Sequence, residues 1–467
     1  MSSAIWSVDD HLEDILAAVR PLDPIELHLL DAQGCVLVED VTVPVALPPF
    51  DNSSMDGYAV RVADVRGATE EFPAVLTVVG DVAAGAGPLP VVGPGQAARI
   101  MTGAPLPPGA EAVVPVEWTD GGSGGGAATA MRPAQSAPED ARGEVRVHRG
   151  AEEGAHVRPR GSDVQAGDLA LARGTVLGAP QLGLLAAIGR ATVRVRPRPR
   201  VVVLSTGSEL VQPGEGLGEG QIYDSNSFAL AAAAREAGAL AYRVGAVTDD
   251  ADTLRATIED QLIRADLLVT TGGVSVGAYD VVKEALSSLG GPPGGPGSAQ
   301  DDRPADEGHS GQEGHPGQEG RFGAGEGQPG GFVDFRTLAM QPGKPQGFGT
   351  IGPDHIPLLA LPGNPVSSYV SFELFVRPAI RTLMGLPDPH RPQVRAALKS
   401  DRALTSPQGR RQFLRGTYDA DSATVTPVGG SGSHLVAALA HADCLIVVGE
   451  RETEVVPGTE VEVILLG

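Results

Sequence analysis

Aromatic side chains are scarce in this chain: Phe, Trp and Tyr together make up 4% of its 467 residues. Platforms that stack unpaired bases need several of them side by side, so a single-strand nucleic-acid module is disfavoured. Basic residues are also in deficit. The 35 Lys and Arg stand against 58 Asp and Glu, a formal charge of -23. Nucleic acids and anionic membrane surfaces both call for basic patches, and this balance argues against either partner. Cys35 and Cys444 are the two cysteines. Placed so far apart, they build neither a disulfide framework nor a C-x-x-C metal knuckle, and they fit reduced thiols in a cytosolic protein. No uncharged apolar run reaches about 18 residues, the length a spanning helix needs. The opening MSSAIWSVDDHLEDIL is acidic and amphipathic rather than signal-like, so a cytoplasmic location is expected.

What is present is ample core-forming material. Hydrophobic residues account for 42% and charged residues for 20%, which excludes disorder over the full length. At about 100–200 residues per domain, the chain holds two to four domains. Ser7 to Asp10 reads as a capping box opening a helix, with Val8, Leu12, Ile15, Leu16 and Val19 on one face. That stripe must pack either on its own chain or on a second subunit. Residues 36–149 are rich in short alternating runs separated by Gly and Pro, the pattern of β structure. Within them, the glycine patch 120–127 reads as a surface loop. Residues 150–195 continue in this style, with one short helix starting near Pro180. RPRPR (196–200) is a stiff basic connector and a domain boundary.

After it the pattern changes. Apolar strands are expected at 201–207, 240–248, 267–273 and 357–363, with helices at 225–238, 249–265, 280–289 and from about 364 to 384. Strand–helix alternation at this spacing predicts a doubly wound α/β domain, its sheet mostly parallel and covered on both faces. Residues 290–331 interrupt it with Gly, Pro, Gln, seven acidic and two basic residues, and a tandem of EGHSGQ and EGHPGQ. This composition predicts a disordered insertion, and a metal site at His309 and His315 has no third ligand nearby. Past 387 the runs are short and β-like again, with one helix near 433–441.

The candidate chemistry lies at the strand ends. In open α/β sheets the ligand crevice opens at the carboxyl edge. TTGGVSVG (270–277) ends a strand there, so Gly272, Gly273 and Ser275 bring amides and a hydroxyl toward an anion. A tight βα turn without a ligand is the plainer reading. The pattern is neither G-x-G-x-x-G nor a P-loop. STGSEL (205–210) supplies Thr206 and Gly207, and IYDSN (222–226) supplies Ser225 and Asn226, which also suit helix capping. Asp224, Asp249, Asp250 and Asp280 cluster at the same edge. Hard carboxylate oxygens there suit Mg²⁺ bridging phosphate, and Asp249 or Asp250 equally suits a cap. Lys344 in QPGKP (341–345) is a positioned cation, or else an ordinary solvated lysine. LPGNP (361–365) turns sharply into a helix, with Pro362 and Pro365 stiffening the turn and Asn364 a candidate cap. No Ser-His-Asp or Cys-His pairing is evident. The loops PPFDNSSMDGYAV (48–60) and RIMTGAP (99–105) expose polar groups that structure alone does not explain.

These segments, together with RGSDV (160–164) and LPGNPVSS (361–368), resemble the molybdopterin molybdenumtransferase family, MoeA in bacteria and the E domain of gephyrin in animals. Each motif alone is weak, and the ordered set is specific. The resemblance implies an elongated homodimer of four-part protomers. Those parts would be a discontinuous linker and dimerisation domain (1–46 and 150–197), an inserted β-rich domain (47–149), an α/β molybdopterin-binding domain (198–386) and a C-terminal β domain (387–467). It implies Mg-dependent insertion of molybdenum from molybdate into adenylylated molybdopterin, with release of AMP. Molybdopterin adenylyltransferase would be its pathway neighbour. By resemblance, Glu209, Asp249 and Asp280 are the acids of the cleft, Asp249 and Asp280 hold the metal, Lys344 steers oxyanions, and Pro362 and Pro365 shape the floor. Asp56, Thr102 and Asp163 face the other subunit's cleft. Gln341 stands where many family members carry Lys, so one cation is lost, and the insertion is not a usual family feature. Two alternatives stand beside this reading: the adenylyltransferase, which would not need the loops at 51–60 and 99–105, and a non-catalytic molybdopterin-binding scaffold.

Overall fold

A computed structural model describes residues 5–85, 87–131, 143–247, 250–272, 285 and 332–467. The chain forms two compact units. One comprises Met1–Ile25, Gly34–Val36 and Arg196–Gly467, the other Glu26–Gln33 and Leu37–Val195. The change at Arg196 falls on the first residue of the RPRPR run. Its arginines are anchored. Arg196 Nη1 donates to the Leu22 carbonyl, and Arg198 donates to the carbonyls of Gly238 and Ala239 just past a helix end, where a cation complements the exposed carbonyls. Arg200 grips Asp266 through two nitrogens.

A seven-stranded sheet organises the first unit, in the order Ile5–Trp6, Phe332–Leu338, Pro345–Ile351, Ile356–Leu361, Leu267–Thr271, Arg200–Thr206 and Leu240–Val247. Pro345–Ile351 alone runs against the other six. The central strands are uniformly apolar because both of their faces are buried. Val201, Val203, Leu267, Val269, Leu359 and Leu361 pack to one side with the helices Asn226–Glu236, Pro365–Ser371 and Arg377–Leu383. Val202, Leu204, Leu268, Leu358 and Ala360 pack to the other with Leu254 and Ile258 of the helix Ala251–Leu262. The period of two in each strand thus divides one apolar run between two cores. Each fully buried Val or Leu adds roughly 1.5–3 kcal/mol against leaving it exposed.

Four sequence expectations need correction here. The helix Val8–Ala18 falls within the residues 1–46 expected to form part of the linker domain, yet Val8, Ile15 and Val19 join the α/β core of their own chain. Ser7 does cap this helix, its hydroxyl accepting the Asp10 amide at 3.0 Å. Pro345–Ile351 was not foreseen as a strand, because its two glycines and starting proline lower its apparent β character. The expected single helix over 364–384 contains a wider turn at Phe372–Val376. Pro378 has no amide to offer the Leu374 carbonyl, so the ladder loosens there. The glycine patch is not simply a surface loop. Gly121 and Gly122 are buried with Asp120, whose carboxylate accepts the amides of Gly122, Gly124 and Arg146. The helix expected at 280–289 lies outside the described residues except for Ala285, and the insertion 290–331 lies outside them, as do residues 132–142.

The C-terminal part of the first unit is a closed barrel. Arg411–Asp419, Thr424–Pro427, Gln393–Leu398, Glu460–Leu465 and Cys444–Val448 pair in turn, and the last pairs back with the first. Met340–Gln341 adds alongside Arg411 and Gln412 and ties the QPGK turn to the barrel. Cys444 is buried in the barrel core, and its thiol is pushed up to about 12 by burial. The second unit contains a five-stranded sheet ordered Glu144–Val147, Ala74–Val82, Gln96–Ile100, Gly57–Val60 and Ala112–Pro115, with a core on each face. Among the described residues no helix is long and apolar enough to cross a membrane.

Candidate functional site

Strand order locates the site. The chain passes from Arg200–Thr206 to Leu240–Val247 on one side and then returns to Leu267–Thr271 on the other. The loops leaving Thr206 and Thr271 therefore diverge, and a crevice opens where the order reverses. The crevice is a cavity of about 930 Å³, lined from the α/β part by Thr206, Gly207, Glu209, Ser225, Asn226, Gly272, Pro362 and Pro365. The QPGK turn contributes Gln341 and Lys344.

The walls touch through backbone. Gly272 has φ +97°, and a Cβ there would sit 2.4 Å from the Thr206 carbonyl oxygen, so a side chain is excluded both by conformation and by space. Asn226 Nδ2 donates to the Thr271 hydroxyl at 3.0 Å and to the Gly363 carbonyl at 2.7 Å, joining three loops. The Thr271 hydroxyl lies 3.0 Å from that of Ser368. Gln346 Nε2 braces the QPGK turn by donating to the Gly343 carbonyl and the Ser371 hydroxyl. The Thr206 hydroxyl is buried and has no hydrogen-bond partner among the described residues. An unpaired buried hydroxyl costs about 1–3 kcal/mol unless a ligand engages it.

Sequence reasoning missed one whole wall. Arg410, Ser431, Ser433 and His434 of the C-terminal part line the same cavity. They lie in barrel loops, where no local pattern marks them. The serine loop is fixed by the Val366 amide, which donates to the Ser433 carbonyl. Lys344 and Arg410 thus bring two cations into a site belonging to a chain of charge -23, beside the carboxylates of Glu209 and Asp224.

Several candidate acids have structural duties instead. Asp224 is buried and accepts from the Ser205 hydroxyl (2.9 Å), the Ser227 amide (3.1 Å) and the Ser227 hydroxyl (2.5 Å), with Arg243 at 3.7 Å. It starts the helix Asn226–Glu236 and is not available as a metal ligand. Ser225 makes no capping hydrogen bond, and Asn226 holds loops rather than capping. Asn364 likewise makes no side-chain cap. Asp250 caps Ala251–Leu262 by accepting from the Thr253 hydroxyl and amide, contacts that hold its carboxyl below the usual range. Asp249, Asp280, Gly273 and Ser275 lie outside the described residues. Among the described residues no three His, Cys, Asp or Glu side chains converge as a metal site would require.

In the second unit two of the three resemblance-derived residues are in direct contact, and the third bonds elsewhere. Asp56 accepts the Thr102 amide at 2.7 Å and its hydroxyl at 2.9 Å. The Asp163 amide donates to the Leu47 carbonyl, and Gly161 bonds Pro48.

Three family models match: the MoeA N-terminal region (domain I and II) over residues 6–189, a probable molybdopterin binding domain over 202–298 and the MoeA C-terminal region (domain IV) over 397–466. Molybdopterin molybdenumtransferase 2 of Mycobacterium tuberculosis is 43% identical over 98% of both chains. Molybdopterin molybdenumtransferase of Bacillus subtilis is 32% identical over 94% of this chain and 89% of its own length. The crystal structure of the molybdopterin biosynthesis MoeA protein from Pyrococcus horikosii aligns over 99% of this chain and all of its own, at 30% identity and a TM-score of 0.69.

Proposed function

The chain belongs to the MoeA family of molybdopterin molybdenumtransferases, and on that premise we propose that its cavity takes adenylylated molybdopterin and molybdate, leaves molybdenum on the dithiolene and releases AMP. The observation that carries this reading is the convergence of seven separate chain segments on one cavity with two cations and a Thr206 hydroxyl that has no partner among the described residues. Adenylate cleavage builds negative charge on phosphate oxygens. The Thr206 hydroxyl would meet that charge without rearrangement, because the turns beside it are held by the Gly207 amide on the Val247 carbonyl and the Gly272 amide on the Leu361 carbonyl. Lys344 and Arg410 would attract and hold the oxyanion, and Asn226 would keep the Gly272 and Gly363 turns in register. Glu209 is the carboxylate beside the Gly207 turn.

A divalent ion, Mg²⁺ in this reading, would be held by Asp249 and Asp280, whose hard oxygens suit it, and would neutralise phosphate charge when bound. The described residues form no metal cluster of their own, so every other role here is assigned to the chain's side chains and amides. We further propose a cytoplasmic homodimer, following a molybdopterin adenylyltransferase in the pathway, in which the Asp56, Thr102 and Asp163 loops serve the partner copy's cavity. The division into a linker, an inserted β domain, an α/β domain and a C-terminal domain belongs to the same proposal.

Incubation with adenylylated molybdopterin, molybdate and Mg²⁺ tests this. AMP release dependent on molybdate, with molybdenum retained on the pterin, is the expected result. Formation of the adenylylated pterin from molybdopterin and Mg-ATP would assign the chain to the preceding step instead. Binding without AMP release would make it a scaffold.

A further inference from the structure

The cavity carries an apolar strip that anion chemistry does not explain. Leu210–Val211 and Ile222–Tyr223 form a two-stranded parallel ladder beyond the end of the main sheet, with Leu210 opposite Ile222 and Val211 opposite Tyr223. Residues opposite each other in a ladder share a face, so Leu210 and Ile222 form one apolar surface. Leu210, Ile222 and Tyr223 all line the cavity, yet Ile222 is 56% and Tyr223 43% exposed. The other large apolar side chain there, Met340, is fully buried. The ladder is held in place: the Ile222 amide donates to the Glu209 carbonyl, the Asp224 amide to the Val211 carbonyl, and the Tyr223 hydroxyl to the Glu215 carbonyl at 2.9 Å. Side chains that are apolar, exposed and fixed inside a polar cavity are covered when a flat apolar group lies on them. The cations come from other segments, Lys344 from the QPGK turn and Arg410 from the barrel.

We infer that the Leu210–Ile222 face of the ladder forms the subsite that takes the planar fused nitrogen heterocycle of the substrate, so that the ladder grips the ring while the cations grip the anion. This rests on the function proposed above and adds to it a ring-recognition element. A pterin and an adenine share the chemistry in question, a flat polarisable ring with polar edges, and the experiment separates them.

The test is calorimetric titration of the full chain with AMP, with ribose 5-phosphate and with a soluble pterin, in wild type and in Ile222→Ser, Tyr223→Ala and Tyr223→Phe. Both sites are exposed, so the variants should fold, and circular dichroism checks that they do. Ile222→Ser should weaken the ring-bearing probe by roughly fivefold or more, the scale of one stacking contact, and leave ribose 5-phosphate unchanged, whereas Tyr223→Ala, on the other face of the ladder, should weaken it less. Tyr223→Phe should retain binding. Loss confined to AMP assigns the adenine to the ladder, and loss confined to the pterin assigns the pterin. Equal binding of both ring-bearing probes by wild type and all variants overturns the subsite while leaving the proposed function standing. Wild-type protein that binds none of the three probes overturns both.

Discussion

Asn226 and Thr271 are 45 residues apart in the chain, and the Asn226 side-chain amide donates to the Thr271 hydroxyl at 3.0 Å across the crevice edge. The same amide reaches the Gly363 carbonyl, so one side chain sets the separation of the loops that form the cavity. Asn226→Ala removes both bonds. Each contributes about 0.5–1.5 kcal/mol, a modest effect on stability, but the loops lose their register. The expected outcome is at least a tenfold fall in kcat/KM with the melting temperature lowered by only a few degrees. Unchanged kcat/KM would show that the cavity does not depend on this contact.

Asp224 provides a contrasting case. Its carboxylate is buried and satisfied by Ser205, Ser227 and Arg243, so its removal leaves several buried groups unpaired. Asp224→Ala should cost roughly 3 kcal/mol in urea unfolding. Any surviving folded protein should keep the wild-type dependence on Mg²⁺ concentration. A shifted Mg²⁺ requirement would return Asp224 to the list of metal ligands.

His11 ties stability to pH. It is buried against Phe375, with ring centroids 4.9 Å apart, and burial together with the nearby charge of Arg336 lowers its pKa to about 3. The unfolded chain would protonate the same imidazole near 6.5. Below that pH the unfolded state binds the extra proton, so the stabilisation present above 6.5 is lost as pH falls toward 3, up to about 5 kcal/mol from this group alone. Urea midpoints measured from pH 7 to pH 4 should fall, and His11→Leu should flatten that fall. An identical slope in the variant would exclude His11 as its source.

Gln341 lines the cavity alongside Lys344 and Arg410. Gln341→Lys adds a third cation beside Lys344 and Arg410. Molybdate should bind roughly two- to tenfold tighter at low salt, and the gain should shrink as ionic strength rises, as expected for a charge interaction in a solvent-filled cavity. Tighter binding that does not respond to salt would point to a rearranged loop instead.

The α/β strands were legible because each is a short apolar run, buried on both faces, between Gly- and Asp-rich turns. Val201 to Leu204 is the clearest of them. The motif loops were legible because glycine, proline and asparagine at strand ends have few other uses. Pro345–Ile351 was not legible, since its pairing with Phe332–Leu338 and Ile356–Leu361 outweighs a weak local preference. Asp224 could not be told from a metal ligand, because a carboxylate at a strand end reads the same whether it meets a metal or the Ser205 and Ser227 hydroxyls.

Taken alone, the order of residues determined which segments are buried, where the chain turns, and that glycine- and proline-rich loops gather at one edge of a sheet. These are short-range matters of side-chain size, polarity and backbone freedom. Only the tertiary structure decided that Arg410, Ser431, Ser433 and His434 share a cavity with Thr206 and Lys344. The closure of the barrel and its pairing with Met340–Gln341 bring them there. Such placements depend on contacts between residues far apart in the chain, which no local pattern encodes.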